Sequence, residues 1–190
     1  DYGFALIIRE GENHLQPIEP GYPNSSNIEE KLELPFDDSS RLKVVTVYKG
    51  GAADNFRSNL AQMSIKELGE SCLQFYAKNY DGIRQSQQIE TLDDSLRNEF
   101  TMNEYYSIPT IWQEDKNGKK SVDIFVKSVF EKITDPSGAY QGAPIAIGFP
   151  LSLRYSLEIK LDEAWEFPIE ELHIKNESYQ FDFTPIVNGN

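Results

Sequence analysis

The stretch over residues 42–83 constrains the fold most, because it reads as a strand, two helices and a second strand within an otherwise strand-rich chain. Residues 42–49 are rich in β-branched side chains, and Val45 and Val47 keep the second side of this segment partly apolar. We therefore expect a strand that is covered on both faces. Glycines at 50 and 51 end it. Two helices that each bury one face need a sheet to lie on, so this stretch predicts the helical layer of the fold.

Apolar spacing and a capping pattern predict the two helices. Residues three and four positions apart line one face of the first helix: Ala53, Phe56, Leu60 and Met63. Ser64 begins the second helix, because Glu67 three residues later completes a capping box. A broad apolar stripe follows: Ile65, Leu68, Cys72, Leu73, Phe75 and Tyr76. We expect the helix pair to span 53–80, with Gly82 as the left-handed residue that closes it.

Alternating patterns predict the strands on either side of the helix pair. Residues 151–161 place six apolar side chains on one face and polar side chains on the other, which predicts one buried and one wet face. The alternating segment 32–36 should form a hairpin with the strand from Leu42, and Asn117-Gly118 predicts a second hairpin. The connection from Tyr48 to Ile83 should bring its two strands into one sheet.

Four further segments are predicted to be strands. Residues 4–9 read as a buried strand in a hairpin with 15–18, and residues 83–92 as an edge strand. A long strand follows with five apolar residues on its even face: Leu96, Phe100, Met102, Tyr106 and Ile108. The predicted fold class is α+β, a mainly antiparallel β-sheet or sandwich with a two-helix insertion packed on one face.

Charge and composition exclude several classes of partner. The 31 acidic and 18 basic residues give a net charge of −13, and the acidic surplus is spread along the chain. We therefore expect no nucleic-acid partner, because that affinity rests on clustered Lys and Arg. No apolar run is long enough for a membrane span, so we expect no membrane insertion. The single cysteine permits no internal disulfide.

A change of composition divides the chain. Residues 19–27 are rich in Pro, Gly, Ser and Asn, which predicts a linker, with a β-rich domain at 28–190. The chain reaches a hydrophobic strand within a few residues of Asp1 and has no initiator methionine, so we expect it to be a piece of a longer protein.

Few residues offer chemistry for catalysis. A thiol enzyme needs a cysteine beside a histidine, and only Cys72, His14 and His173 are available. Cys72 lies in the middle of the second predicted helix on its apolar stripe, whereas reactive cysteines favour helix N-termini. We therefore expect Cys72 to be a core residue. Both histidines are expected to be solvated.

The sequence indicates neither a metal nor a cofactor. Three acidic turns, at 37–38, 115–118 and 135–138, lack the distal glutamate of a calcium loop, and turn formation explains them. No His or Cys pair has zinc spacing. The remaining candidates are aromatic residues that could line a sugar or peptide groove, although such residues more often serve core and cross-strand packing: Tyr105, Tyr106, Trp112, Tyr140 and Trp165.

Several short segments together resemble one family. They are DYGFAL at 1–6, LQPI at 15–18, YKGGAAD at 48–54 with Arg57, FYAKNY at 75–80, API at 143–145 with FP at 149–150, and IKLDEAW at 159–165. In this order they resemble the region that follows the catalytic core in bacterial transglutaminase-like proteins with an N-terminal domain of unknown function. The resemblance covers nearly the whole chain and includes none of the catalytic motifs of that core.

The resemblance implies a non-catalytic accessory or interaction domain of an exported protein in the bacterial periplasm or cell envelope. It implies that residues 1–18 are trailing strands of a preceding transglutaminase-like domain, which would be the first partner. A carbohydrate- or peptide-binding module that uses the aromatic residues is one alternative, with a protein, peptide or glycan as ligand. A stand-alone hydrolase is the other.

Overall fold

The fold is α+β and is built on one five-stranded sheet. The computed structural model describes residues 4–6, 8–9, 11, 13–17, 25–35, 38–109, 111–131, 152–162, 171–175, 180–184 and 186. In chain order the elements are β1 (Phe4–Leu6), β2 (Leu15–Pro17), β3 (Ser25–Leu34), β4 (Ser40–Lys49), α1 (Gly51–Leu60), α2 (Ile65–Ala77), β5 (Arg84–Asp94), β6 (Glu99–Ile108), β7 (Gln113–Glu114), β8 (Lys120–Ser121), α3 (Lys127–Phe130), β9 (Ser152–Leu161), β10 (Leu172–Lys175) and β11 (Gln180–Phe183).

The large sheet has the strand order β5-β6-β4-β3-β9. Neighbouring strands are antiparallel except β3 and β9, which run parallel over their whole length. The predicted hairpin of β3 with β4 is confirmed, and β5 is the predicted edge strand. β4 and β5 lie in one sheet with β6 between them, as the Tyr48–Ile83 connection predicts. Three two-stranded hairpins, β1-β2, β7-β8 and β10-β11, accompany this sheet.

Both long helices pack on the same face of the sheet. α2 begins with the predicted capping box: the Ser64 backbone N–H donates to Glu67 Oε2 over 2.7 Å, and the Glu67 N–H donates to Ser64 Oγ over 3.2 Å. Ala53 of α1 is fully buried. Gly82 has the expected positive φ of 69°, but it lies in the turn before β5 and not at the end of α2.

The core lies between α2 and the even-numbered residues of the central strands. Its buried members include Leu32, Leu34, Leu42, Val44, Tyr76, Tyr80, Ile83, Tyr106 and Ile108. On the opposite face of the sheet, Arg41 and Lys43 are exposed, while Val45 and Val47 are half-buried. The expectation that this strand is covered on both faces is therefore wrong, because the charged side chains of Arg41 and Lys43 keep the first half of that face in contact with water.

α1 is held against the β5–β6 turn by a polar network. The Arg57 guanidinium donates to both oxygens of Asp93 and to Asn98 Oδ1, and it also pairs with Asp54. The Gly50 N–H donates to Asn98 O over 3.0 Å. This network fixes the start of the helical layer at one end of the sheet.

Several predicted details differ from the structure. Phe4 is 56% exposed, so the first hairpin is not a buried one. Leu96 lies in the β5–β6 turn and is 99% exposed, because β6 begins only at Glu99. β3 begins at Ser25, which places the last three residues of the predicted linker in a strand. The described residues form one large sheet without a second one packed on it, so the sandwich arrangement is not confirmed.

Candidate functional site

Two buried glutamates lie beneath α2 in the middle of the sheet. Glu30 on β3 and Glu104 on β6 are 3% and 4% exposed. Each is a cross-strand partner of Val44 on β4, which lies between them. Two strand spacings separate them, which is about 10 Å. A carboxyl group that is withdrawn from water must be hydrogen-bonded or neutralised, so their surroundings define the chemistry of this site.

Glu30 receives hydrogen bonds from two tyrosines. The Tyr76 hydroxyl of α2 donates to Oε1 over 2.8 Å, and the Tyr155 hydroxyl of β9 donates to Oε2 over 2.7 Å. Burial raises the pKa of Glu30 above its ordinary value, and the two hydrogen bonds partly offset this rise. The carboxyl group thereby joins α2 and the last strand of the large sheet to β3.

Glu104 has a tyrosine and a thiol as partners. The Tyr106 hydroxyl, two residues further along β6, donates to Glu104 Oε2 over 2.5 Å. The Cys72 thiol of α2 also hydrogen-bonds to this carboxyl group. Burial raises the pKa of Glu104, with a smaller contribution from the charge of Glu30. No lysine, arginine or histidine is among the described hydrogen-bond or ion-pair partners of Glu104.

Cys72 packs as a core residue, as its place on the apolar stripe predicts. It is half-buried beside Leu68, Ile89 and Met102. Burial and the adjacent charge of Glu104 raise the pKa of the thiol to about 12. The thiol is therefore protonated at neutral pH, which is the opposite of what a nucleophilic cysteine requires. The hydrogen bond to Glu104 makes the surroundings of Cys72 more polar than its apolar stripe indicates.

A cavity of about 280 Å³ opens beside Glu104, between the helices and the sheet. Cys72, Phe75 and Tyr76 of α2 line one side, and Tyr48 and Met102 of the sheet line the other. Hydroxyl groups contribute further polar atoms, from Ser26, Thr46, Ser71 and Ser128. Ser71 and Glu131 are exposed and lie at the rim. The cavity thus combines a buried carboxyl group with aromatic rings and hydroxyls.

Tyr105 and Tyr106 lie on opposite faces of the sheet and do not share a groove. Tyr105 lies on the face of the sheet away from the helices, where its hydroxyl donates to Glu90 and the Lys43 ammonium lies 5.4 Å from its ring centroid. Tyr106 is buried on the other face, against the ring of Tyr76.

Of the remaining aromatic candidates, the structure describes only Trp112. The Trp112 indole is half-buried and donates to Pro35 O over 3.0 Å. Tyr140 and Trp165 lie outside the described residues. A shared aromatic floor is therefore wrong for Tyr105 and Tyr106, because adjacent residues of one strand point to opposite faces.

The two histidines and the acidic turn at 115–118 are placed as expected. His14 and His173 are exposed on two different hairpins. Asp115 accepts from the backbone N–H groups of Asn117 and Lys119, which confirms its role as a turn residue. The turns at 37–38 and 135–138 fall wholly or partly outside the described ranges. Within those ranges, no three His, Cys, Asp or Glu side chains are placed to hold a metal ion.

Neither buried glutamate is among the residues predicted from the sequence. Glu30 precedes Leu32 and Leu34 at the same alternation, and Glu104 lies between Met102 and Tyr106 on the apolar face of its strand. Both glutamates occupy positions where the strand alternation predicts a buried side chain, and this could have indicated them. The hydrogen-bond partners of Glu30 could not be predicted from alternation, because Tyr155 lies on a strand 125 residues later in the chain.

Comparisons with known protein families, with curated proteins and with solved structures find no match to this chain. Among the described residues, no helix has the length and apolar composition needed to cross a membrane. The resemblance to transglutaminase-like proteins therefore stays a prediction.

Proposed function

We propose that this chain is a non-catalytic accessory domain of a bacterial transglutaminase-like protein in the periplasm or cell envelope, and that it interacts with a preceding transglutaminase-like domain. The observation that carries the non-catalytic part is that the Cys72 thiol is protonated at neutral pH. It is the only cysteine in the chain, and burial together with Glu104 raises its thiol pKa to about 12.

The raised pKa of the Cys72 thiol supports the non-catalytic part of the proposal. Thiol catalysis needs a thiolate that a neighbouring histidine forms or stabilises. Cys72 instead lies beside a buried carboxyl group, whose negative charge opposes ionisation of the thiol. Neither His14 nor His173 is among the residues that line the adjacent cavity. In this proposal, the catalytic cysteine belongs to the preceding domain.

An amine-incorporation assay tests the non-catalytic part. The purified chain is incubated with a fluorescent primary amine and a glutamine-containing protein substrate, beside a matched Cys72→Ser variant. We expect no incorporation above background from either protein. Incorporation by the wild type that the Cys72→Ser variant loses would overturn the proposal.

The coding sequence upstream of residue 1 tests the family assignment. We expect it to encode a Cys, His and Asp constellation. If it does, the two parts produced as separate polypeptides should associate, and isothermal titration calorimetry would measure this. A start codon immediately before Asp1, or a preceding domain without that constellation, would contradict the proposal.

The carbohydrate- or peptide-binding alternative loses its structural basis in the described residues. Its groove required aromatic side chains on one surface, and Tyr105 and Tyr106 lie on opposite faces of the sheet. We therefore expect glycan and peptide arrays to show no binding that a Tyr105→Ala or Trp112→Ala variant loses.

A further inference from the structure

The cavity beside Glu104 has the chemistry of a cation-binding site. Glu104 supplies a buried carboxyl group to its wall, and Glu131 supplies a second acidic group at its rim. None of the described residues that line it is Lys, Arg or His. Lys127 lies beside the cavity and is paired with Glu131, whereas Glu104 has no cationic partner among the described residues. The carboxyl group of Glu104 therefore favours a ligand that carries positive charge.

Aromatic rings add to this preference. Phe75 and Tyr76 of α2 line the cavity, with their ring centroids 5.0 Å apart in an edge-to-face arrangement. The face of an aromatic ring attracts cations, and Phe75 already holds one, because the Lys127 ammonium lies 4.9 Å from its ring centroid. Lys127 also contacts Asn79 Oδ1 at 3.3 Å and Glu131 at 4.0 Å, so its own charge is balanced locally.

We propose that this cavity binds a small organic cation of the primary alkylammonium class, with the ammonium group at Glu104 and the alkyl group against Phe75 and Met102. A buried carboxylate without a cationic partner is costly, and a bound ammonium group supplies that partner. The volume of about 280 Å³ is near the lower limit of ligand sites, which favours a ligand of few heavy atoms. This site does not depend on the membership of the chain in any enzyme family.

Methionine-methyl NMR of the whole chain tests the proposal directly. The chain has two methionines: Met102 lines the cavity, and Met63 is exposed between α1 and α2 and does not line it. Titration with n-butylammonium should shift the Met102 methyl signal to saturation and leave the Met63 signal in place. The neutral analogue 1-butanol and the anionic analogue butyrate should bind at least tenfold more weakly.

Matched variants assign the charge preference to Glu104. Glu104→Gln keeps the shape of the side chain and should weaken n-butylammonium binding at least tenfold. Glu90→Gln removes an exposed carboxyl group on the other face of the sheet and should leave the affinity unchanged. Ser71→Trp, at the exposed rim, should obstruct the cavity and weaken binding even if Glu104→Gln does not fold.

Three outcomes would overturn the proposal. The first is a Met102 signal that n-butylammonium does not move. The second is equal affinity for n-butylammonium and 1-butanol, which would show an apolar site without charge recognition. The third is wild-type affinity in a folded Glu104→Gln variant or in Ser71→Trp.

Discussion

The Tyr155 hydroxyl donates a 2.7 Å hydrogen bond to Glu30 Oε2 and so links the last strand of the large sheet to its neighbour through a buried side chain. Backbone pairing alone already holds β9 beside β3. The hydrogen bond adds a cross-strand contact that depends on one oxygen atom, and its contribution can be measured separately.

Tyr155→Phe should lower the free energy of unfolding by about 1–2 kcal/mol, because it leaves one oxygen of a buried carboxyl group without its donor. Urea denaturation monitored by circular dichroism measures this change. Tyr105→Phe is the matched control, since it removes a hydroxyl that donates to the exposed Glu90. Equal effects of the two substitutions would show that burial of Glu30 does not matter.

Glu104 should make stability depend on pH. Its folded-state pKa is raised by burial, so its contribution to stability is complete below its ordinary pKa of about 4.5 and is lost as pH rises through the folded value. The amide of the Glu104→Gln variant has no titratable proton in this pH range. The free energy of unfolding of this variant should therefore rise relative to wild type as pH increases above about 4.5.

Urea denaturation of both proteins at several pH values checks this difference. The groups that face Glu104 also bear on it: Cys72 and Tyr76 from α2, Tyr106 on β6, Glu30 on β3 and Tyr48 on β4. Glu29→Gln, on the same strand as Glu30 but exposed, controls for the removal of a surface carboxyl group. A constant difference between Glu104→Gln and wild type across this pH range would contradict the prediction.

Cys72→Ala should cost about 1 kcal/mol of stability, because it removes a half-buried sulfur from contacts with Leu68 and Met102. A thiol reagent should label Cys72 much more slowly in buffer than in denaturant, since burial and Glu104 keep the thiol protonated. Comparison of the two labelling rates measures this. Labelling as fast in buffer as in denaturant would contradict both the core assignment and the orientation of α2.

Gly50→Ala should destabilise the chain by about 1–2 kcal/mol through the backbone alone. Gly50 has φ 59° and ψ −135°, a region that L-residues rarely adopt, and a Cβ atom there would meet nothing within 4 Å. Gly51→Ala, at the first helical position, is the control and should be neutral or stabilising. Thermal unfolding of both variants gives the comparison, and an unchanged Gly50→Ala variant would refute the backbone argument.

Local patterns were enough to predict much of this fold. The capping box at Ser64, the hairpin at Asn117-Gly118 and the apolar face of 151–161 each depend on residues close in sequence. The α+β class follows from their sum, because two amphipathic helices need a sheet.

The parts that sequence did not reveal depend on distant residues. The parallel pairing of β3 with β9 joins segments far apart in the chain, and alternation within a strand does not specify its neighbour. Glu30 and Glu104 were missed because a charged residue is ordinarily exposed, and their burial depends on partners from α2 and on the distant strand β9.

The pairing of β3 with β9 also sets an order of events during synthesis. β3 leaves the ribosome long before β9, so until then one edge of β3 can form hydrogen bonds with β4 while the other has unpaired N–H and C=O groups. Such an edge can pair with a strand of another chain and so cause aggregation, and charged side chains on an edge strand oppose this pairing. Glu29, Lys31 and Glu33 alternate along β3 and point away from the helices. They would protect the nascent chain from aggregation until β9 is synthesised and pairs with β3.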